Sequence, residues 1–293
     1  VKGKPDDLQK IVPICYHLGM IDPLNPLHYL ETGDGPPLLL IHGLFDLLET
    51  WERLTPLLSN QFKLYAIDLP GFGKSPLPEA WDESLSGMIE AAAAFLDRKG
   101  IEKSSIIGSS MGGGIALGVA GRHPDRVDKI VLINPYGFPS PPVAAEIARS
   151  RILGKLLPYL LRKSTLRRCA KAIFSRSLHD PRLITDTLIE RVTAPFATLR
   201  QRRDLFRFLS GISAEAMREI DALLPHIRQP VLILWGEHDR WLTIDHAHRL
   251  HRRLPNSRLL RLPDCGHLPQ IDKPKEVAEA IRRFFSLDGD GSF

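Results

Sequence analysis

Short apolar runs alternate with amphipathic stretches along most of the 293 residues, and few folds accommodate that order. Residues 37–41 form a compact apolar run closed by His42-Gly43, which predicts a strand buried on both faces. A helix-like stretch follows at 50–58, then a second strand at 62–69 stopped by Pro70-Gly71-Phe72-Gly73. Residues 84–99 have the 3.6-residue apolar period, with Gly100 placed to end the helix. Strand and helix continue at 103–109, 111–121 and 127–133. After a break of about 85 residues the alternation resumes with a strand at 230–236 and a helix at 245–254. A strand at 257–262 and a helix at 275–285 follow, and 288–293 reads as a frayed tail. Such βαβ units predict an α/β fold with a mainly parallel, doubly wound sheet. The break predicts a helical cap insertion. Its core, 144–210, reads as short helices broken at Pro158, Pro181 and Pro195. The expected organisation is a core of 1–136 and 222–293 with a cap of 137–221.

Composition removes several classes. An apolar fraction of 43% excludes general disorder, and no run approaches the roughly 18 apolar residues of a membrane span. Residues 11–21 faintly resemble a signal peptide, but Pro13 and His17 interrupt them and no small-residue cleavage site follows, so they read as mature sequence. Cys15, Cys169 and Cys265 are odd in number and widely spaced, which excludes a disulfide framework and a cysteine zinc site. A reducing, cytoplasmic location is the expectation. Charge is uneven: residues 149–207 carry 15 Lys and Arg against 4 Asp and Glu, a net of +11 in a chain totalling +5, so the rest carries −6. A weakly acidic body with one basic segment does not predict a nucleic-acid-binding protein.

The sharpest local signal is Gly108-Ser109-Ser110-Met111-Gly112, between a predicted strand and a predicted helix. Glycines two residues either side of Ser110 allow a turn sharp enough to expose its hydroxyl at a helix N-terminus. A serine hydroxyl needs a neighbouring base, itself oriented by a third group, before it is a nucleophile. His267 follows the strand at 257–262 and Asp239 the strand at 230–236, so both fall at the carboxyl edge of the sheet beside Ser110. Asp264 and Asp272 flank His267 as rival acids, though they are too close in sequence to reach its ring in the usual geometry. The remaining histidines read as packing or solvated residues.

Taken together, several motifs make the chain resemble the α/β-hydrolase fold family from about His28 to Phe285. They are Leu40-Ile41-His42-Gly43, Asp68-Leu69-Pro70-Gly71-Phe72-Gly73-Lys74-Ser75 and the Ser110 turn. Leu234-Trp235-Gly236-Glu237-His238-Asp239 and Gly266-His267 complete the set in family order. The resemblance implies a capped serine hydrolase with a Ser110–Asp239–His267 triad. Its oxyanion hole would use the backbone N–H of Met111 and, by family analogy, that of Leu44, with Phe45 the alternative donor. Phe45, Ser109 and Leu268 are expected at the substrate. His42 is expected to be structural. Hydrophobic carboxylic esters are the expected substrates; carbon–carbon bond or lactone hydrolysis on the same triad is the alternative, and a non-catalytic binding relative a remote one. Ser110 argues against dehalogenases and epoxide hydrolases, which use aspartate there. The carbon–carbon bond hydrolases usually carry Trp after the histidine, where this chain has Leu268. No phosphate loop or metal-ligand spacing is present, so no metal or other cofactor is expected.

The basic segment leaves two readings open. Apolar pairs from Ile152-Leu153 to Leu178 alternate with Arg151, Lys155, Arg162, Lys163, Arg167, Arg168, Lys171 and Arg176. They describe either a lid whose apolar face meets substrate or lipid, with cations on anionic head groups, or an amphipathic cap with a solvated basic face.

Overall fold

A computed structural model describes residues 27–77, 84–136, 147–150 and 152–286. The stretch at 11–21, Cys15, the onset of the cap at 137–146, Arg151 and the tail at 288–293 lie outside the described residues. Seven strands form one sheet: β1 (Tyr29–Thr32), β2 (Pro37–Ile41), β3 (Lys63–Ile67), β4 (Ser104–Ser109), β5 (Val127–Ile133), β6 (Val231–Gly236) and β7 (Ser257–Leu262). Their order is β1-β3-β2-β4-β5-β6-β7, with β1 antiparallel to β3 and every other pair parallel. The α/β class and the doubly wound parallel sheet are therefore as the sequence predicts.

The apolar runs of inner strands such as β2 and β6 are continuous because these strands are covered on both sides. Leu39, Ile41, Ile106, Ile130, Leu132 and Ile233 enter one core, with helices α2 (Leu85–Arg98) and α3 (Met111–Arg122). Their neighbours Leu38, Leu40, Ile107, Val131, Leu232 and Leu234 enter the other, with α1 (Thr55–Leu58) and the C-terminal helix. The α2 boundaries follow local chemistry. Ser84 Oγ accepts the Gly87 N–H at 3.3 Å, a cap of about 1 kcal/mol, and Gly100 (φ +64°) ends the helix in the left-handed region. The helix expected at 50–58 is instead split: a 3-10 turn, Leu48–Trp51, precedes the one-turn α1.

Between β5 and β6 the chain forms α4 (Leu153–Leu160), α5 (Lys163–Ser177), α6 (Asp186–Thr193), α7 (Leu199–Gly211) and α8 (Ala214–Leu223). Pro158 does not break a helix but lies inside α4, near its end, where only one internal hydrogen bond is lost. Pro181 and Pro195 do fall between α-helices, each in a 3-10 turn. The insertion is anchored in two places. Leu205, Phe208 and Leu209 of α7 join the main core, Phe208 meeting Phe72 edge-on at 5.4 Å. Phe174 of α5 and Ile189 and Val192 of α6 form a separate cluster with Leu47, Leu268 and Ile271. Leu47, Phe72 and Leu268 all follow carboxyl ends of strands, so the insertion sits over that edge of the sheet. Helices α9 (Ile244–Arg253), α10 (Pro269–Asp272) and α11 (Pro274–Ser286) complete the chain.

Candidate active site

Ser110 joins β4 to α3 with φ +51° and ψ −117°, a conformation costing a non-glycine residue about 1–3 kcal/mol. Neighbouring backbone holds it there: Ser110 N–H donates to the Ile133 carbonyl, and the Ser110 carbonyl accepts from Tyr136 N–H and Gly113 N–H, all at 2.9 Å. The flanking glycines are steric requirements. A Cβ on Gly108 would lie 2.2 Å from the Gly112 carbonyl oxygen, and one on Gly112 would lie 2.2 Å from that of Ile41.

The structure brings Ser110, His267 and Asp239 into one row. Ser110 Oγ is 2.9 Å from His267 Nε2, and His267 Nδ1 is 2.7 Å from Asp239 Oδ2. Asp239 Oδ1 accepts the N–H groups of Trp241 (2.7 Å) and Leu242 (3.0 Å). Burial pushes the Asp239 carboxyl up, but the hydrogen bond to His267, with these two N–H groups, outweighs it and holds the pKa below the ordinary carboxylate value. An ionised Asp239 only accepts, so the imidazole proton sits on Nδ1 and Nε2 is free to accept the Ser110 hydroxyl. The last turn of α5 supports both loops. Ser177 carbonyl accepts the His267 N–H at 2.6 Å, and Ser177 Oγ accepts Trp241 Nε1 at 2.9 Å. Arg240 donates to the Leu178 carbonyl at 2.9 Å, and the Arg176 guanidinium lies 4.6 Å from the Trp241 ring centre.

Across the serine is the loop after β2. A Cβ on Gly43 would lie 3.1 Å from Ser110 Cβ, which brings this backbone against the hydroxyl. Leu44 is half-buried beside it, and Phe45 has φ +60°. Met111 opens α3, so its N–H has no acceptor within the helix. His42 orders the loop, as its sequence context suggests. Nε2 accepts the Leu69 N–H at 3.0 Å, which leaves Nδ1 to donate to the Gly43 carbonyl at 2.8 Å. Burial lowers its pKa and keeps it neutral. Asp68 is nearly inaccessible and collects His28 Nδ1, Leu48 N–H and Lys74 N–H, tying the second motif to the same loop. Asp46 is also buried. Its Oδ1 accepts Leu47 N–H, and Oδ2 has no hydrogen-bond partner among the described residues.

Ser109 requires a correction as a substrate contact. It has no exposure, because β4 turns it inward, and its Oγ bonds Gln270 Nε2 at 3.1 Å. Leu268 is buried in the cluster under α5 and α6, and Phe45 packs at the margin of the main core. The rival acids are engaged elsewhere. Asp272 accepts Gly266 N–H and His179 N–H, while Asp264 lies beside His238.

Two residues escaped the sequence reading. Asn134, fully buried at the end of β5 with φ +41°, donates from Nδ2 to Asp239 Oδ2 at 2.6 Å and accepts Gly236 N–H at Oδ1. Gln270 links Ser109 to Thr50 beneath the serine turn. The only signal for Asn134 was a polar residue ending an apolar strand.

Among the described residues, His179, His238 and Asp264 offer ligand atoms within 4.8 Å of one another. The two imidazoles stack at 4.4 Å and 30°, so their in-plane lone pairs run side by side instead of converging. Cys169 and Cys265 are unpaired, and burial pushes the Cys265 thiol up.

A family model for the alpha/beta hydrolase fold matches residues 36–274. An uncharacterised hydrolase of Bacillus subtilis, YugF, is 27% identical over 263 residues, covering 88% of this chain and 92% of that one. A 2-hydroxy-6-oxononadienedioate/2-hydroxy-6-oxononatrienedioate hydrolase of Cupriavidus pinatubonensis is 30% identical, covering 88% and 90%. Among solved structures, an alpha/beta hydrolase fold protein from Burkholderia ambifaria superposes with a TM-score of 0.79 at 24% identity, covering 91% and 98%. With its sheet order, its serine turn and these matches in agreement, the chain belongs to the α/β-hydrolase fold family.

Proposed function

We propose that the protein is a serine hydrolase that cleaves hydrophobic carboxylic esters through an acyl-enzyme on Ser110. The observation that carries this reading is the unbroken row from Ser110 Oγ through His267 to Asp239, at 2.9 and 2.7 Å. In this mechanism His267 Nε2 takes the hydroxyl proton as Ser110 attacks the ester carbonyl. Asp239 fixes the tautomer and stabilises the imidazolium. The N–H groups of Leu44 and Met111 receive the oxyanion, each such donor typically contributing about 2.7–4 kcal/mol at the transition state. His267 then protonates the departing alcohol, and water activated by the same nitrogen releases the acid.

A second reading, carbon–carbon bond hydrolysis of a vinylogous diketone acid, is favoured by the relative from Cupriavidus pinatubonensis. Leu268, where such enzymes usually carry Trp, supports the ester reading instead. The test pairs a fluorophosphonate label with p-nitrophenyl esters from acetate to palmitate and with a vinylogous diketone acid. Labelling and ester turnover that both vanish in Ser110→Ala are expected. Turnover of the diketone acid alone would replace the ester reading with the second. A wild type inert to label and substrates would overturn both.

A further inference from the structure

Water-facing apolar side chains are concentrated at one place in the molecule. Ile152, Leu153, Leu156, Tyr159 and Leu160 are 48–69% exposed, and they are five of the seven large apolar side chains left exposed among the described residues. Their spacing of three to four residues sets them along one stripe of α4. The opposite side holds the helix down: Pro158 is buried, and its carbonyl accepts from Arg202 of α7 at 2.8 Å. The stripe is therefore fixed outward by the packing behind it, with no cover over it among the described residues.

Charge defines what such a face accepts. From Ile147 to His179 the chain has nine Lys and Arg and no Asp or Glu. Lys155, Arg162, Lys163 and Arg168 are exposed and make no ion pair among the described residues. Ser164, Arg167, Arg168 and Lys171 recur at i, i+3, i+4 and i+7 of α5 and line a surface hollow of about 540 Å³. Arg167 and Lys171 also reach Asp186, which leaves Arg168 the uncommitted cation there.

An apolar stripe continuous with unpaired cations matches the boundary of an anionic bilayer, where acyl chains receive the first and phosphates the second. A second copy of this chain does not match. A twofold contact through this face would oppose the unpaired Lys155, Arg162, Lys163 and Arg168 with their own copies. Nor do phosphates alone account for five exposed apolar side chains.

We infer that α4 and the N-terminal part of α5 dock the protein on anionic lipid membranes. The docking is peripheral, since no helix of the described residues is long and apolar enough to cross a membrane. It does not depend on the reaction proposed for Ser110, so the two stand or fall separately.

The test is co-sedimentation of the full chain with phosphatidylcholine vesicles, with and without phosphatidylglycerol. The wild type should pellet with the mixed vesicles and not with neutral ones, and added salt should release it. Leu153→Ser with Leu156→Ser should weaken partitioning by about tenfold or more, and Arg162→Glu with Lys163→Glu by a similar factor. All four positions are exposed, so melting temperature and fluorophosphonate labelling should match the wild type; that match shows folded protein whatever the lipid result. Absence of binding to mixed vesicles, equal binding to neutral ones, or unchanged binding by either double variant would overturn the inference. So would a chain that stays off vesicles and elutes as a dimer that Leu156→Ser dissociates.

Discussion

Replacing Asp46 by Asn removes a carboxyl that the fold holds in its protonated range, and the consequence is a change in how stability depends on pH. Burial pushes this group from an ordinary 3.8 to about 7, and the negative charges of Glu49 and Asp68 add to the rise; Thr50 and the Leu47 N–H oppose it. Between those two values the unfolded chain gives up the proton and the folded chain keeps it. Stability therefore falls as pH rises from about 4 to 7, then levels off. The whole shift corresponds to about 4 kcal/mol, of which roughly 2–3 kcal/mol falls between pH 5 and pH 8. Asn keeps an oxygen for the Leu47 N–H and does not titrate, so Asp46→Asn lacks this slope. Urea unfolding of both proteins at pH 5 and pH 8 checks it, read as the difference between them so that other titrating groups cancel. The variant should gain roughly 2–3 kcal/mol on the wild type across that interval. A difference that stays constant, or grows toward low pH, would refute the assignment of Asp46 as a buried, largely neutral acid at pH 5.

Other predictions concern the row of residues at Ser110. Asp239→Asn should lower kcat by about 10⁴-fold, because the amide favours the wrong imidazole tautomer. Since the Asp239 pKa is depressed, its stabilising contribution is present above the ordinary carboxylate value and lost only as pH falls through the lower, folded one; melting curves should show wild type and variant converging in strong acid. Asn134→Ala leaves Gly236 N–H without its acceptor and removes one of the two hydrogen bonds at Asp239 Oδ2, leaving that from His267, and should cost about 1–3 kcal/mol of stability and lower kcat with little change in KM. An unchanged kcat would remove Asn134 from any positioning role. Gly112→Ala must displace the Ile41–His42 backbone against its new methyl group, so it should abolish fluorophosphonate labelling and depress the melting temperature; a labelled, wild-type-like variant would contradict the close approach to Ile41.

What could be read from the sequence was what local sterics dictate. Strands such as Val231–Gly236 are apolar throughout because both faces are covered, and that leaves an unbroken run in the sequence. Gly108 and Gly112 are forced by contacts within five residues of Ser110 and with the neighbouring strand. Asn134 was not legible, because its role depends on Asp239, 105 residues away, with only the pairing of β5 and β6 bringing them together. Ser109 was misplaced for a similar reason: adjacency to the nucleophile does not reveal that a strand residue turns inward, toward a glutamine 161 positions on. Pro158 was read as a helix breaker, but near the end of a short helix it removes little, and Arg202 occupies its carbonyl.

The grip of α5 on the two loops limits how this protein could be remodelled, in the laboratory or by descent. Segments between β5 and β6 are natural places to exchange, since their two ends leave one sheet edge. Here the exchange would not be modular. Whatever replaced α5 would have to offer a carbonyl where Ser177 meets the His267 backbone and a hydroxyl where it meets Trp241. A graft chosen only for the substrate it admits would leave the histidine loop without its tether. The posture of the histidine loop is therefore written into the inserted helix, and neither can drift far without the other.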